Sequence, residues 1–237
     1  MRITKLPLLL LFLAALLSAC DDDDFCIRGE GNTETRTLSL ADFNGVSVNG
    51  STEVYIRRGE VQQVEVKGQS NVLDELETEV SGGVWNIEFD RCIRRHRTVE
   101  VYITVPELTS AEVNGSGFVE LEDVFEVEEF FTRITGSGEI RGRVAAEEVT
   151  SRISGSGSVR LAGTASVQDV SISGSGNHEA FDLRTNATSV TISGSGKAEV
   201  TVADELNVEI SGSGRVYYRG NPTINSNISG SGRLIKS

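Results

Sequence analysis

The sequence is poor in the residues that most often carry chemistry, with two histidines, three cysteines and one tryptophan in 237 residues. That leaves little material for a metal centre or a nucleophilic site, and no cofactor is expected. Prolines number three, aromatic residues make up 6%, and the 25 glycines show no Gly-X-Y period, which excludes a collagen helix. Cations are in deficit, with 22 Lys and Arg against 35 Asp and Glu for a net charge of −13. A surface of that sign argues against nucleic acid as a partner, because phosphate binding needs a cationic face. The apolar run from Leu6 to Leu17 has 12 residues, short of the ~20 a membrane-spanning helix needs. With 38% hydrophobic residues, the chain is long enough to bury a core without a metal or disulfide staple.

The start of the chain reads as an address. Arg2 and Lys5 precede the apolar run, and Ser18, Ala19 and Cys20 close it, the pattern of a secretory signal. Leu17-Ser18-Ala19-Cys20 resembles the bacterial lipobox, which implies that Cys20 is lipidated and becomes the first mature residue. Two or three acyl chains hold a protein stably on a membrane where one is marginal. The alternative is a secreted protein in which Cys20 falls at the cut by chance. Asp21 to Asp24 follow at once, a solvated tether by charge alone. An acidic run behind a lipidated cysteine also resembles the signal that sends Bacteroidetes lipoproteins to the cell surface. The expected layout is a signal peptide at 1–19, a lipidated acidic tether at 20–35 and a folded domain at 36–237. The expected place is the bacterial outer membrane, lipid-anchored, with the cell surface favoured and a periplasm-facing position as the alternative. Cys26 and Cys92 then remain as an even pair in an oxidising compartment, read as a disulfide with two free thiols as the alternative.

From about residue 110 the chain repeats itself. The units are Gly115-Ser116-Gly117, Gly136-Ser137-Gly138, Gly155-Ser156-Gly157, Gly174-Ser175-Gly176, Gly194-Ser195-Gly196, Gly212-Ser213-Gly214 and Gly230-Ser231-Gly232. Each follows a Val or Ile and then an Asn, Thr or Ser, and the first glycines are 21, 19, 19, 20, 18 and 18 residues apart. Between them lie stretches of period-two alternation such as Ala198-Glu199-Val200-Thr201-Val202, the mark of strands buried on one face. Strands of three to five residues, turned about three times per unit, match the coil of a β-solenoid. The glycines then sit at tight corners, and the serines are expected to stack in a hydrogen-bonded ladder.

The same repeats give little support to ligand chemistry at the corners. The residue after each is Phe118, Glu139, Ser158, Asn177, Lys197, Arg215 or Arg233, mixed signs that do not build a hard-cation site. No phosphate-loop lysine or helix start follows the glycines either.

The run Phe43-Asn44-Gly45-Val46-Ser47-Val48-Asn49-Gly50 precedes the strand Glu53-Val54-Tyr55-Ile56 and the stretch Val61-Gln62-Gln63-Val64-Glu65-Val66. Val101-Tyr102-Ile103-Thr104-Val105-Pro106-Glu107-Leu108 then leads into the first corner. Together with the repeats, over about residues 36–232, these resemble the family of putative auto-transporter adhesins, head GIN domain, found in Bacteroidetes lipoproteins. The resemblance implies an all-β fold, a single-stranded right-handed parallel β-helix with coils of about 18–21 residues, and an adhesive role. It brings no catalytic residues.

Arg91, Arg94, Arg95 and Arg97 form the basic cluster of an acidic chain, either a polyanion contact or a solvated loop balancing Asp90 and Glu100. His96 and His178 lack metal-ligand spacing and are expected at the surface. Acidic runs such as Glu126-Val127-Glu128-Glu129 and Glu147-Glu148 show no paired catalytic pattern, so no enzyme activity is expected. The reading is a lipid-anchored envelope protein with a structural or adhesive role toward a surface glycan or protein. The alternative is a carbohydrate-binding or carbohydrate-processing β-helix; the sparse aromatics, Trp85 and four tyrosines, count against sugar stacking, and convergence of Tyr217 and Tyr218 with the arginine cluster would bear on it. Oligomeric state is left open.

Overall fold

The computed structural model describes residues 26–237, so the export segment, Cys20 and the Asp21–Asp24 run lie outside the described residues. The chain from residue 118 onward is a stack of coils, formed by β11 (Phe118–Gly136), β12 (Glu139–Gly155), β13 (Ser158–Gly174), β14 (Asn177–Gly194) and β15 (Lys197–Gly212). Each pairs in parallel with the next, so equivalent side chains lie directly above one another. Ile134, Ile153, Ile172, Ile192 and Ile210 share one buried column. Strand spacing of about 4.8 Å brings such neighbours into van der Waals contact, which makes a column of aliphatic residues a continuous core. Strand length differs from the sequence expectation. The ladders run almost unbroken from corner to corner, because every bend is matched by the same bend in the neighbouring coil and the backbone pairing survives it.

The two glycines of a corner answer to different constraints. Gly194 has φ +126°, and a Cβ there would lie 2.5 Å from the carbonyl oxygen of Gly174 one coil back. At Gly196 a Cβ would lie 2.6 Å from Cγ2 of Ile172. The serine between them contributes its backbone: the Ser195 N–H donates to Gly174 O at 2.8 Å and the Lys197 N–H to Gly176 O at 3.0 Å. Gly50 (φ +102°), in register with Gly115, opens the series with a corner whose sequence is Gly50-Ser51-Thr52, threonine standing where the later corners have their second glycine.

The first half of the chain builds an end cap, and there spatial order departs from chain order. β3 (Gly45–Gly50) lies between β10 (Ser110–Gly115) and β7 (Val84–Ile87), and β4 (Glu53–Arg58) lies between β11 and β9 (Glu100–Val105). Residues 84–105 thus form a coil outside that of 45–58 before the chain crosses back to start β10. Antiparallel strands cover this outer coil: β5 (Gln63–Gln69) on β9, β2 (Thr33–Leu38) on β5, and β6 (Val80–Ser81) on β7. The short α1 (Ser70–Leu73) supplies Val72 and Leu73 to the core. Trp85, fully buried, packs its ring 5.8 Å from that of Phe43 and donates its Nε1–H to Glu77 O at 3.1 Å.

At the other end, β16 (Arg215–Arg219) and β17 (Thr223–Gly230) lie on β15, and β18 (Arg233–Lys236) lies on β16. Ile224 and Ile228, in register with the buried Leu206 and Ile210, remain 39% and 38% exposed.

His178 corrects a sequence expectation: it is fully buried, not at the surface. Its register partners are Val159 and Ala198, so it occupies an inward column that is otherwise aliphatic. Burial follows from that position and not from the chemistry of imidazole.

Candidate binding recess

The irregular spacing of the corners shapes the surface. From Gly115 to Gly136 the chain takes 21 residues, and from Gly174 to Gly194 it takes 20, while the two coils between take 19 each. The additional residues bulge at one edge. Register shifts fall between Glu120 and Val124, between Arg160 and Gly163, and between Ala180 and Arg184. β12 and β13, by contrast, pair residue by residue through this stretch. Two longer coils therefore stand proud on either side of two shorter ones, and bulges of this kind re-aim side chains.

The result is a recess of about 470 Å³. Its floor is Gly142, Arg143, Leu161 and Ala162; its walls are Leu121 and Glu122 on one side and Phe181 and Asp182 on the other. Along one rim, Glu120, Arg141, Arg160, Glu179 and Glu199 form a row in register, continued by Tyr55 and Tyr102 at one end and Tyr217 at the other.

Most charges in this row are engaged. Arg141 meets Glu120 at 2.8 Å, and Arg160 reaches Glu179 at 2.8 Å and Glu139 at 3.2 Å. Hydrogen bonds to these carboxylates hold both guanidinium pKa values above their ordinary level, Glu120 acting chiefly on Arg141 and Glu179 on Arg160. Glu122 pairs with Arg57, and Glu199 with Lys197 at 3.0 Å. Arg141 also lies 4.6 Å from the Phe118 ring centroid, and Arg219 lies 4.0 Å from that of Phe181. The arrangement offers donors, acceptors and one aromatic face in a shallow polar hollow. Farther along, Tyr55 and Tyr102 stack at 5.4 Å, and a hydrogen bond to Glu100 pushes the Tyr102 hydroxyl up to about 12.

The arginine cluster sits elsewhere. Arg94 lies on β8 (Ile93–Arg94), which pairs with β1 (Ile27–Arg28) beside the disulfide joining Cys26 and Cys92, whose Cα atoms are 4.4 Å apart. Arg91 lies 3.7 Å from Glu75, the Arg97 N–H donates to Gln69 Oε1 at 2.9 Å, and Arg95 takes the left-handed conformation with φ 50°. His96 is half-buried, its Nδ1 2.7 Å from Arg97 O. The structure does not bring this cluster to Tyr217 and Tyr218, which lie on β16 at the opposite end of the stack. The acidic runs stay solvated, with Glu126 paired to Arg58 at 3.1 Å. Among the described residues no group of three or more His, Cys, Asp or Glu could hold a metal ion. Sequence reasoning missed Arg141, Arg143, Arg160, Phe181, Asp182 and Arg219 as one site; the signal for them was the 21- and 20-residue spacings.

A glycine-cornered β-solenoid closed by an antiparallel cap, with a polar recess between bulged coils, defines a binding module in form. The family model for putative auto-transporter adhesin, head GIN domain, matches residues 42–222, and the chain belongs to that family. Among solved structures, it is similar to a putative adhesin from Bacteroides fragilis with a TM-score of 0.81 at 23% identity, covering 88% of this chain and 98% of that one. It is also similar to a putative lipid binding protein from Parabacteroides distasonis, with a TM-score of 0.76 at 24% identity and coverage of 89% and 98%. A putative adhesin from Parabacteroides merdae gives 0.71 at 19% identity, with coverage of 89% and 98%. At these identities the likeness is one of fold. No curated protein matches the chain.

Proposed function

We propose that this protein is a lipid-anchored adhesion protein of the bacterial outer membrane, held by Cys20 and the acidic tether, which binds surface glycan or protein through the recess between its bulged coils. The observation that carries the binding role is the recess itself. A regular solenoid offers flat flanks, and two lengthened coils around two shorter ones make a concave polar site with Phe181 in its wall. Membership of the adhesin family supports the same role.

Binding, not catalysis, suits the carboxylates. Glu120, Glu122, Glu179 and Glu199 each accept a hydrogen bond from an arginine or lysine in an ion pair, which commits their oxygens to holding the rim in place. The mixture of Arg and Glu side chains beside one aromatic ring favours a polyhydroxylated sugar over an apolar ligand.

Two measurements test the proposal. Metabolic labelling with a palmitate analogue should mark the full-length chain and not Cys20→Ser, and protease added to intact cells should remove it; a shielded or unlabelled protein overturns the anchoring. The purified mature chain, screened against immobilised glycans and extracellular-matrix proteins, should give hits that Phe181→Ala and Arg143→Glu each weaken about tenfold. Hits indifferent to both substitutions would move the site away from the recess.

A further inference from the structure

Charge is segregated along the solenoid. All 35 acidic residues lie at or before Glu209, whereas residues 210–237 hold Arg215, Arg219, Arg233 and Lys236 with no acid among them. The row of residues just after the corners shows the gradient. Glu100 and Glu53 stand at the capped end, Glu139 follows, and Lys197, Arg215 and Arg233 occupy successive coils at the far end. Lys197 has Glu199 beside it at 3.0 Å. Arg215 and Arg233 are direct register partners, and like charges placed opposite each other on neighbouring strands repel.

The same end is structurally open. Among the described residues β17 pairs with β15 alone and β18 with β16 alone, so the outer edges of both carry unpaired backbone groups. Ile224 and Ile228 continue the buried columns of Leu206 and Ile210, yet among the described residues they stay more than a third exposed, at 39% and 38%. The other end differs, since β5 and β2 cover its outer coil.

We infer that the β17–β18 edge is a docking site for an acidic, extended segment of a partner protein, which adds as a further strand. Backbone groups along the edge would pair with the incoming strand. Its alternate apolar side chains would cover Ile224 and Ile228, and its carboxylates would lie beside Arg233, with Arg215 one coil below, and relieve the repulsion between the two. A second copy presenting the same edge is disfavoured, because it would add two more arginines to the two already stacked. The site is separate from the recess, which neither Arg215 nor Arg233 lines.

The test uses the full mature chain and a fluorescein-labelled peptide of alternating glutamate and valine, about 14 residues long to match 223–236, with Gly-Ser-Gly placed opposite the Gly230 corner so that it can follow both strands. Controls of the same length are the lysine–valine counterpart and a block peptide with all its glutamates first and its valines last. The acidic alternating peptide should bind, weaken with salt, and protect amides of residues 223–236 from hydrogen exchange. The double variant Arg215→Glu/Arg233→Glu should lose about tenfold or more in affinity, while Arg215→Lys/Arg233→Lys retains binding. Equal binding of the block peptide, protection elsewhere, or affinity indifferent to charge reversal overturns the proposal. So does a concentration-dependent dimer in light scattering that Ile228→Lys abolishes, which would assign the edge to a second copy. Should the reversed variant fail to fold, the salt dependence and the exchange pattern of the wild-type chain decide alone.

Discussion

The side-chain amide of Gln168 lies 2.8 Å from Nε2 of His178, with both residues fully buried in the solenoid. Their remaining polar atoms, Gln168 Oε1 and His178 Nδ1, have no hydrogen-bond partner among the described residues. The pair interrupts two columns: Gln168 stands between Val149 and Thr188, His178 between Val159 and Ala198. An interior exchange of this kind costs stability, since each orphaned polar atom forfeits its hydration.

Acid should therefore destabilise the fold through His178. Burial lowers its pKa from 6.5 to about 4, with the charge of Glu179 offsetting part of the effect. The native state keeps the imidazole neutral while the unfolded chain protonates it near pH 6.5. The contribution is thus complete above that pH, falls as pH drops, and is fully lost below about 4. Its size is about 3 kcal/mol. Urea denaturation between pH 8 and pH 4 measures it, and His178→Leu should show a correspondingly shallower loss than the wild type.

Removing both members of the pair should cost less than removing one. Gln168→Leu leaves the ring of His178 buried with no partner on Nε2 and should cost about 1–3 kcal/mol. The double variant Gln168→Leu/His178→Leu restores an apolar column and should be neutral or stabilising. A double-mutant cycle in denaturant reads the coupling; strictly additive single effects would contradict it.

The corner glycines should tolerate no side chain. Valine at Gly194 meets the Gly174 carbonyl and a φ of +126° together, and valine at Gly196 meets Ile172. Both variants should lose about 3 kcal/mol or more, visible as a large fall in Tm. Valine at Gly31, which has open space around it and a φ of +78°, should lose far less, by strain alone.

The Cys26–Cys92 bridge closes a separation of 66 residues. Chain-entropy arguments assign such a crosslink about 4 kcal/mol, so Cys26→Ser/Cys92→Ser should melt well below the wild type. Mass spectrometry of the unreduced mature chain checks the bond itself; two alkylatable thiols would refute it.

Much of the fold was legible because its signals are local. The Gly-Ser-Gly corners and the alternation of Val159-Arg160-Leu161 report backbone bends and one buried face directly. The cap was less so, since β9 reaches its neighbours only by crossing over the coil of β3 and β4, and nothing in Val101 to Val105 records which strand lies beside it. His178 was misread because its burial is set by register with Val159 and Ala198, which residue type alone does not reveal.

The sequence by itself determined the period, the strand faces and the glycine corners, since each depends on residues a few positions apart. Tertiary structure decided what the coil lengths mean. Coils of 21 and 20 residues on either side of two of 19 become walls and floor only when stacked about 4.8 Å apart, bringing Glu122 and Phe181 around Arg143. It also decided that Arg215 and Arg233, 18 residues apart in the chain, face each other at an open edge. Both relationships come from register between coils, a long-range property fixed by packing and backbone pairing across the whole stack.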